Sequence, residues 1–291
     1  MFSFFSKKSG ASNQDFSHVS LIVSDMDGTL LNNNGDVYDS TVELIKDLQK
    51  HNVTFMVASG RWHSNVKEIY EVIGIESDII SLDGALTKSS TSNNVLHTQG
   101  IDGNILQRIM ELVTSKTLDV TLITAEDLLC NNDLYLPTYL TPNVLNVKPL
   151  NIDVVSDIEV LRIYIKGNRA AIESLHFTLQ QTDILSEFKI YLRESKHESG
   201  FWYLEIRTIN ATKGTALQRY MVEHSINKHN TIGIGDYRND MSLLQSCGYK
   251  VALANGVAEL REIADYVTLD SSNDGGIDEI LERVLHSVMK R

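Results

Sequence analysis

Apolar positions in this chain come in short runs, and the spacing between them sets out the elements in order. From Val19 to Val23 a β-rich run stops at two acids, Asp25 and Asp27, followed at once by Gly28 and Thr29. Such a run reads as a buried parallel strand opening into a loop. Ser40-Thr41-Val42-Glu43 has the spacing of a capping box, and Val42, Ile45, Leu48 and Gln49 predict a helix with one apolar face ending near Asn52. Val53 to Ala58 is apolar apart from Thr54, and Ser59-Gly60-Arg61 closes that strand before a second helical stretch through about Ile73. A strand, loop and helix repeated in this way predict a Rossmann-like, doubly wound parallel sheet with right-handed crossovers.

After the short strand Ile79–Leu82 and the turn Asp83-Gly84-Ala85, the rhythm changes. The stretch 86–206 reads as a strand pair flanking Ser89–Asn94, helices at about 104–116 and 170–181, and strands at 120–124, 160–166, 188–193 and 201–207. An irregular segment holding Pro137, Pro142 and Pro149 lies between them. Strands broken by two helices predict an inserted α+β domain with an antiparallel sheet. The last quarter returns to the first rhythm, with helices at 213–224, 241–247 and 257–264 and strands at 231–235, 250–254 and 266–268. The expected organisation is therefore an α/β core from residues 17–85 and 207–291, an inserted cap domain at 86–206 with hinges near 84–87 and 205–209, and a loose tail at 1–16.

Composition narrows the functional classes. With 42% hydrophobic and 22% charged residues in 291, the chain can bury a sizeable core. A formal net charge of −12 opposes docking on nucleic acid or an anionic membrane, since no basic stripe is present to neutralise phosphates. Cys130 and Cys247 are read as reduced and structural, which suggests a cytoplasmic location. The opening residues contain no apolar run long enough for a signal or membrane helix. The oligomeric state is left open.

Candidate chemistry gathers at the carboxyl ends of the core strands, where open α/β sheets bind ligands. The period of an extended chain turns Asp25 and Asp27 to one side and Met26 away. Two carboxylates held that close persist when a hard divalent cation offsets their charge, which points to Mg²⁺; a turn-capping Asp beside an Asp-Gly turn is the plainer alternative. Ser59 and the Gly60 amide sit at a strand-to-helix junction suited to an anion, though Ser59 would serve equally as an ordinary N-cap.

Four segments in order, Asp25-Met26-Asp27-Gly28-Thr29, Ser59-Gly60-Arg61, Lys213-Gly214 and Gly235-Asp236-Tyr237-Arg238-Asn239-Asp240, resemble the motifs of the haloacid dehalogenase superfamily. The nearest likeness is to its Cof-like class IIB phosphatases, which carry a large α/β cap between the second and third motifs, and it covers the chain from about residue 19 onward. The resemblance implies Asp25 as the nucleophile that forms an aspartyl-phosphate and Asp27 as the acid and then base. It implies Mg²⁺ held by Asp25, the main-chain carbonyl of Asp27 and Asp236, with Asp240 ligating directly or through water. Ser59, Gly60, Lys213 and Asn239 would bind the phosphoryl group, and Asn210 is a further candidate. Arg61 either offsets part of the acids' charge or points to solvent, His63 is left as a surface residue, and Asn255 and Asp274-Gly275 match loop-shaping positions. Asp83-Gly84-Ala85 departs from the family's usual Asn-Gly-Ala and adds an acid near the hinge. Cap residues that would face the substrate are sought in 130–150 and around Arg193–Glu198.

The implied activity is a Mg²⁺-dependent phosphatase acting on a small phosphorylated metabolite, a sugar phosphate first, with pyridoxal phosphate or a flavin nucleotide as other substrates of the class. A phosphomutase using the same aspartate pair, or a protein that binds such metabolites without turnover, are the alternatives.

Overall fold

The strand that leads into Asp25, β1 (Leu21–Ser24), is buried along its whole length, as a strand covered on both faces of a parallel sheet must be. The computed structural model describes residues 14–114, 118–132, 146–151, 155, 157–195 and 198–291. After β1 come α1 (Asp39–Lys50), β2 (Thr54–Val57), α2 (His63–Ile73), β3 (Ile79–Ser81), β4 (Leu86–Lys88) and β5 (Val95–Thr98). A second group follows: α3 (Gly103–Thr114), β6 (Asp119–Ile123), β7 (Leu128–Cys130), β8 (Val147–Pro149), β9 (Arg162–Asn168), α4 (Arg169–Gln180), β10 (Phe188–Glu194) and β11 (Phe201–Thr208). The chain ends with α5 (Lys213–Glu223), β12 (Thr231–Gly235), α6 (Met241–Ser246), β13 (Tyr249–Ala252), α7 (Ala258–Ile263), β14 (Tyr266–Val267) and α8 (Asp278–Val288). The described residues form two compact units, one of residues up to Leu96 together with Thr212–Arg291, the other His97–Ala211.

In the first unit five parallel strands lie in the order β14-β13-β12-β1-β2. A bridge from Ala58 to Ile80 leads on towards β3. Alternate residues of the strands serve two apolar layers. Ile22, Phe55, Ile232 and Val251 pack with Ile45 and Leu48 of α1, Val66 and Tyr70 of α2, and Ile280 and Val284 of α8. Leu21, Val23 and Met56 pack on the other side with Leu217 of α5, Leu244 of α6 and Leu260 of α7. Helices on both faces of a parallel sheet make this the doubly wound α/β architecture that the strand-helix rhythm predicts.

Three local expectations are corrected. The capping box at Ser40 does not form: α1 starts at Asp39 without a side-chain cap, and the hydroxyls of Ser40 and Thr41 donate instead to the Asp278 carboxylate at 2.6 and 2.5 Å. Phe16, expected in the tail, is buried edge-on against Tyr249, with ring centroids 5.0 Å apart; residues 1–13 lie outside the described set. Pro149, read as part of an irregular segment, closes strand β8, which stands at a sheet edge, where a missing N–H is tolerated. Pro137 and Pro142 lie outside the described residues.

In the second unit six strands run in the order β10-β11-β9-β6-β7-β8, antiparallel except for the β7–β8 pair. One face of this sheet, with Val120, Leu122, Ile163, Ile165, Leu204 and Ile206, packs on Leu106 and Ile109 of α3 and Ile172 and Leu175 of α4.

Candidate active site

Asp25 follows β1 directly, and its backbone N–H donates to the Ile234 carbonyl of β12 at 2.9 Å, so two adjacent strands fix it at the sheet's carboxyl edge. Its carboxylate is buried and accepts from Lys213 Nζ. Lys213 is the first residue of α5, whose N-cap Thr212 accepts from the Thr215 amide. The ammonium is wholly enclosed and also donates to Asp240 Oδ1 at 2.6 Å. The other oxygen of Asp240 accepts from the amides of Asp236 and Tyr237 at 3.1 and 3.0 Å. Gly235 permits this fold-back, since a Cβ there would stand 2.6 Å from the Cβ of Asp240. Asp236 in turn accepts from Thr29 Oγ1 at 3.0 Å and from Asn255 Nδ2 at 3.3 Å. Gly28, with φ +77°, brings the loop against the Asp236 carboxylate, leaving only 2.6 Å for a side-chain carbon.

The charges decide what this cluster can hold. Burial, then the Asp240 charge, lifts the Asp25 carboxyl well above the ordinary carboxylate range in spite of Lys213. Burial and Asp240 likewise push Asp236 up to about 6. Burial alone would lower the Lys213 pKa, but Asp240, Asp25 and Asp83 outweigh it and hold the ammonium above an ordinary lysine. Asp25, Asp236 and Asp240 each offer an oxygen within 4.8 Å of the others. One cation against this set leaves negative charge uncompensated, and carboxylate-only donors suit a hard divalent cation.

All the remaining predicted residues but Asn210 belong to the same unit as this centre. Asp27 turns its carboxylate outside the three-acid cluster, where Arg61 grips it with two bonds, Nε at 2.9 Å and Nη2 at 2.5 Å. Of the two readings left open for Arg61, the pairing with an acid is the one present, at a half-exposed position. Ser59 is buried, its Oγ accepting from the Arg61 amide at 3.1 Å. Gly60 lies against Asp83, whose carboxylate oxygens would be 3.1 and 3.2 Å from a Cβ. Asn239 Nδ2 donates to Asp83 Oδ1 at 2.9 Å. Asn210 is exposed on a turn of the second unit. Asn255 ties the Gly28 carbonyl and the Ser272 amide together, at 2.8 and 2.9 Å.

Asp83 is the residue that local reasoning undervalued. Leu82 and Asp83 both have positive φ, 51° and 54°, a costly backbone for side-chain-bearing residues. The segment is held there by its amides, which donate to the Arg61 and Ser59 carbonyls at 3.0 and 2.9 Å. An Asp-Gly pair marks a turn, but nothing local says that this turn faces Asn239 and Lys213.

His63 is not on the surface as expected but 5% exposed. Burial, with smaller contributions from Lys88 and Lys67, pushes its pKa down to about 4. A group that charges more readily unfolded than folded costs stability as pH falls from about 6.5 through that value. Thermal midpoints measured between those limits should drop on acidification, and the drop should shrink in His63→Gln. A variant that tracks the wild type would assign the acid loss to other groups.

The sequence profile of the haloacid dehalogenase-like hydrolases matches residues 22–281. Phosphatase YwpJ of Bacillus subtilis is 24% identical over 92% of this chain and 100% of its own length. The 5-amino-6-(5-phospho-D-ribitylamino)uracil phosphatase YcsE of the same organism is 25% identical over 92% of this chain and 96% of its own. The crystal structure of TM0651 from Thermotoga maritima superposes with a TM-score of 0.78 at 23% identity, covering 91% of this chain and 97% of that one.

Proposed function

We propose a reaction for a chain that belongs to the haloacid dehalogenase-like hydrolase family and is a phosphoric monoester hydrolase: Mg²⁺-dependent hydrolysis of a small phosphorylated metabolite, a sugar phosphate by class, through an aspartyl-phosphate on Asp25. The observation that carries it is the enclosed Asp25 carboxylate, bonded to Lys213 and grouped with two further acids at the end of the central strand.

In this reading an Asp25 oxygen attacks phosphorus as the ester oxygen departs, and Asp27 gives that oxygen its proton. Water then attacks the phosphorus of the aspartyl-phosphate, Asp27 takes the water's proton, and inorganic phosphate leaves with Asp25 restored. Asp27 must leave its resting partner to do this. Its pair with Arg61 is exposed on both sides, 41% and 56%, so it is worth little and is easily exchanged. Lys213 holds a fixed positive charge beside Asp25 and the incoming phosphoryl oxygens. Ser59 and the Gly60 amide, at the turn before α2, donate hydrogen bonds to the phosphoryl group, and Asn239 joins them by exchanging Asp83 for an oxygen of the substrate. Mg²⁺ would be held by Asp25, the Asp27 main-chain carbonyl and Asp236, with Asp240 directly or through water, and when bound it neutralises these acids and the phosphoryl group. Since both Asp240 oxygens already accept bonds from Lys213 and two amides, the water-mediated form fits better.

Phosphate release from a panel of phosphorylated metabolites, with Mg²⁺ and with chelator, tests the reading. Turnover should require the ion and rank sugar phosphates high. Mg²⁺ should also raise the thermal midpoint by several degrees, as a ligand of the folded state does, and Asp236→Asn should remove most of that rise. Chelator-insensitive turnover, or a midpoint indifferent to Mg²⁺, would count against it.

A further inference from the structure

A carboxylate already stands among the groups assigned to the phosphoryl group. Asp83 Oδ1 accepts from Asn239 Nδ2 at 2.9 Å, and both Asp83 oxygens lie against Gly60, 3.1 and 3.2 Å from where a Cβ would be. The Asp83 charge is one of those that hold up the Lys213 ammonium, and the Asp83 backbone N–H donates to the Ser59 carbonyl at 2.9 Å. Asp83 therefore reaches Ser59, Gly60, Lys213 and Asn239, the whole set of proposed phosphoryl-binding residues, and all of them belong to its own unit.

The fold holds this acid in place. Asp83 is 8% exposed, and its backbone has φ 54°, a conformation that a residue with a side chain keeps only where its surroundings impose it. Two supports do so. On one side the Leu82 and Asp83 amides are bonded to the Arg61 and Ser59 carbonyls. On the other, Gly84 packs so closely on the start of α5 that a Cβ there would run into the Thr212 carbonyl. The turn thus delivers a fixed negative charge between the 59–61 loop and Asn239.

An anion seated among the donors for another anion has two effects. It occupies Asn239 until the phosphoryl group displaces it, and it repels a dianion bound nearby. Around a buried carboxylate, like charges a few ångströms apart interact strongly. Neither effect depends on which bond is breaking, so both weigh on substrate, transition state and product phosphate alike. We propose that Asp83 is a built-in antagonist of phosphate, a residue that keeps the hold on the phosphoryl group weak and so speeds the departure of inorganic phosphate. This rests on the phosphatase reading of the surrounding donors.

Two variants separate charge from shape. Asp83→Asn keeps the outline and an oxygen acceptor for Asn239 but removes the charge. Asp83→Gly removes both and suits the positive φ. Thermal midpoints check that each is folded. Calorimetric titration with inorganic phosphate in Mg²⁺ should show both variants binding about tenfold tighter than the wild type, or better. With p-nitrophenyl phosphate as substrate, KM and the inhibition constant of phosphate should fall by a similar factor in Asp83→Asn, while kcat does not rise. A residue that merely tied the 59–61 loop to Asn239 would behave in the opposite way, because its loss would loosen the donors. Weaker phosphate binding in Asp83→Gly therefore overturns the proposal. Turnover with unchanged phosphate affinity in both variants also overturns it and leaves the phosphatase reading standing. Tighter phosphate binding in the variants, with no ester hydrolysed by the wild type, supports the role of Asp83 and removes the reading of the activity. Absence of phosphate binding in wild type and variants alike removes both.

Discussion

Exchange of Asp25 for Asn should lower phosphate release by at least about four orders of magnitude, because an amide cannot form the acyl phosphate and no other group lies in its place. Folding should survive. The Asn keeps the shape and a carbonyl oxygen for Lys213 Nζ, which still has Asp240. It also removes a charge that burial and Asp240 disfavour. In chelator the variant's thermal midpoint should therefore equal or exceed that of the wild type, whereas with Mg²⁺ the wild type should gain more. Residual turnover above about one hundredth of wild type, on a Brønsted scale where a positioned acid or base alone is worth about 10²–10⁴, would remove Asp25 from the nucleophile's role.

The parts of this site that sequence makes legible are those in which chemistry and local pattern coincide. Asp25 ends an apolar run and precedes an Asp-Gly turn, so strand, loop and charge are visible within a few residues. Lys213 lies 188 positions from Asp25, and Asp240 27 further on. No periodicity ties them together, and only the order of the motifs did so. Where tertiary partners compete with local ones, local rules fail. Ser40 and Thr41 have the spacing of a cap, yet their hydroxyls go to Asp278, more than 200 positions away. Helix α8 also carries a local pattern: Ile280, Leu281, Val284 and Val288 recur at helical spacing and fill the core beside α1. Asp83 and His63 belong to another class. A positive φ at Asp83 and the burial of His63 are set by what packs around them, and neither leaves a pattern in the chain. The charged face of the second unit's sheet was partly visible as alternation in Arg162–Lys166 and Glu205–Arg207, but alternating polar residues ordinarily mean a solvated face, and only the structure shows these enclosed.

Loss of the Lys213 charge should have the second-largest effect, and should be felt in both stability and turnover. The ammonium is fully enclosed and bonded to Asp25 and Asp240, with Asp236 close by. Lys213→Met keeps most of the volume and removes the charge, leaving buried acids without a counter-charge, a situation that costs about 3–5 kcal/mol. Turnover should fall about 10²–10³-fold, the worth of one preorganised charge on the reacting group. Lys213→Arg should not restore it, since a guanidinium needs room that a wholly enclosed site lacks. The two losses are separable. Adding Asp240→Asn to Lys213→Met removes the stranded carboxylate, so the double variant should regain much of the thermal midpoint while phosphate release stays low. Mg²⁺ should likewise stabilise Lys213→Met more than wild type, because the cation then offsets charge that Lys213 no longer covers. If Lys213→Met turned over at near wild-type rates, the lysine would be a structural counter-ion alone. If the double variant regained activity along with stability, the activity loss in the single variant would be a folding defect, and the phosphoryl charge would have to be met by other groups.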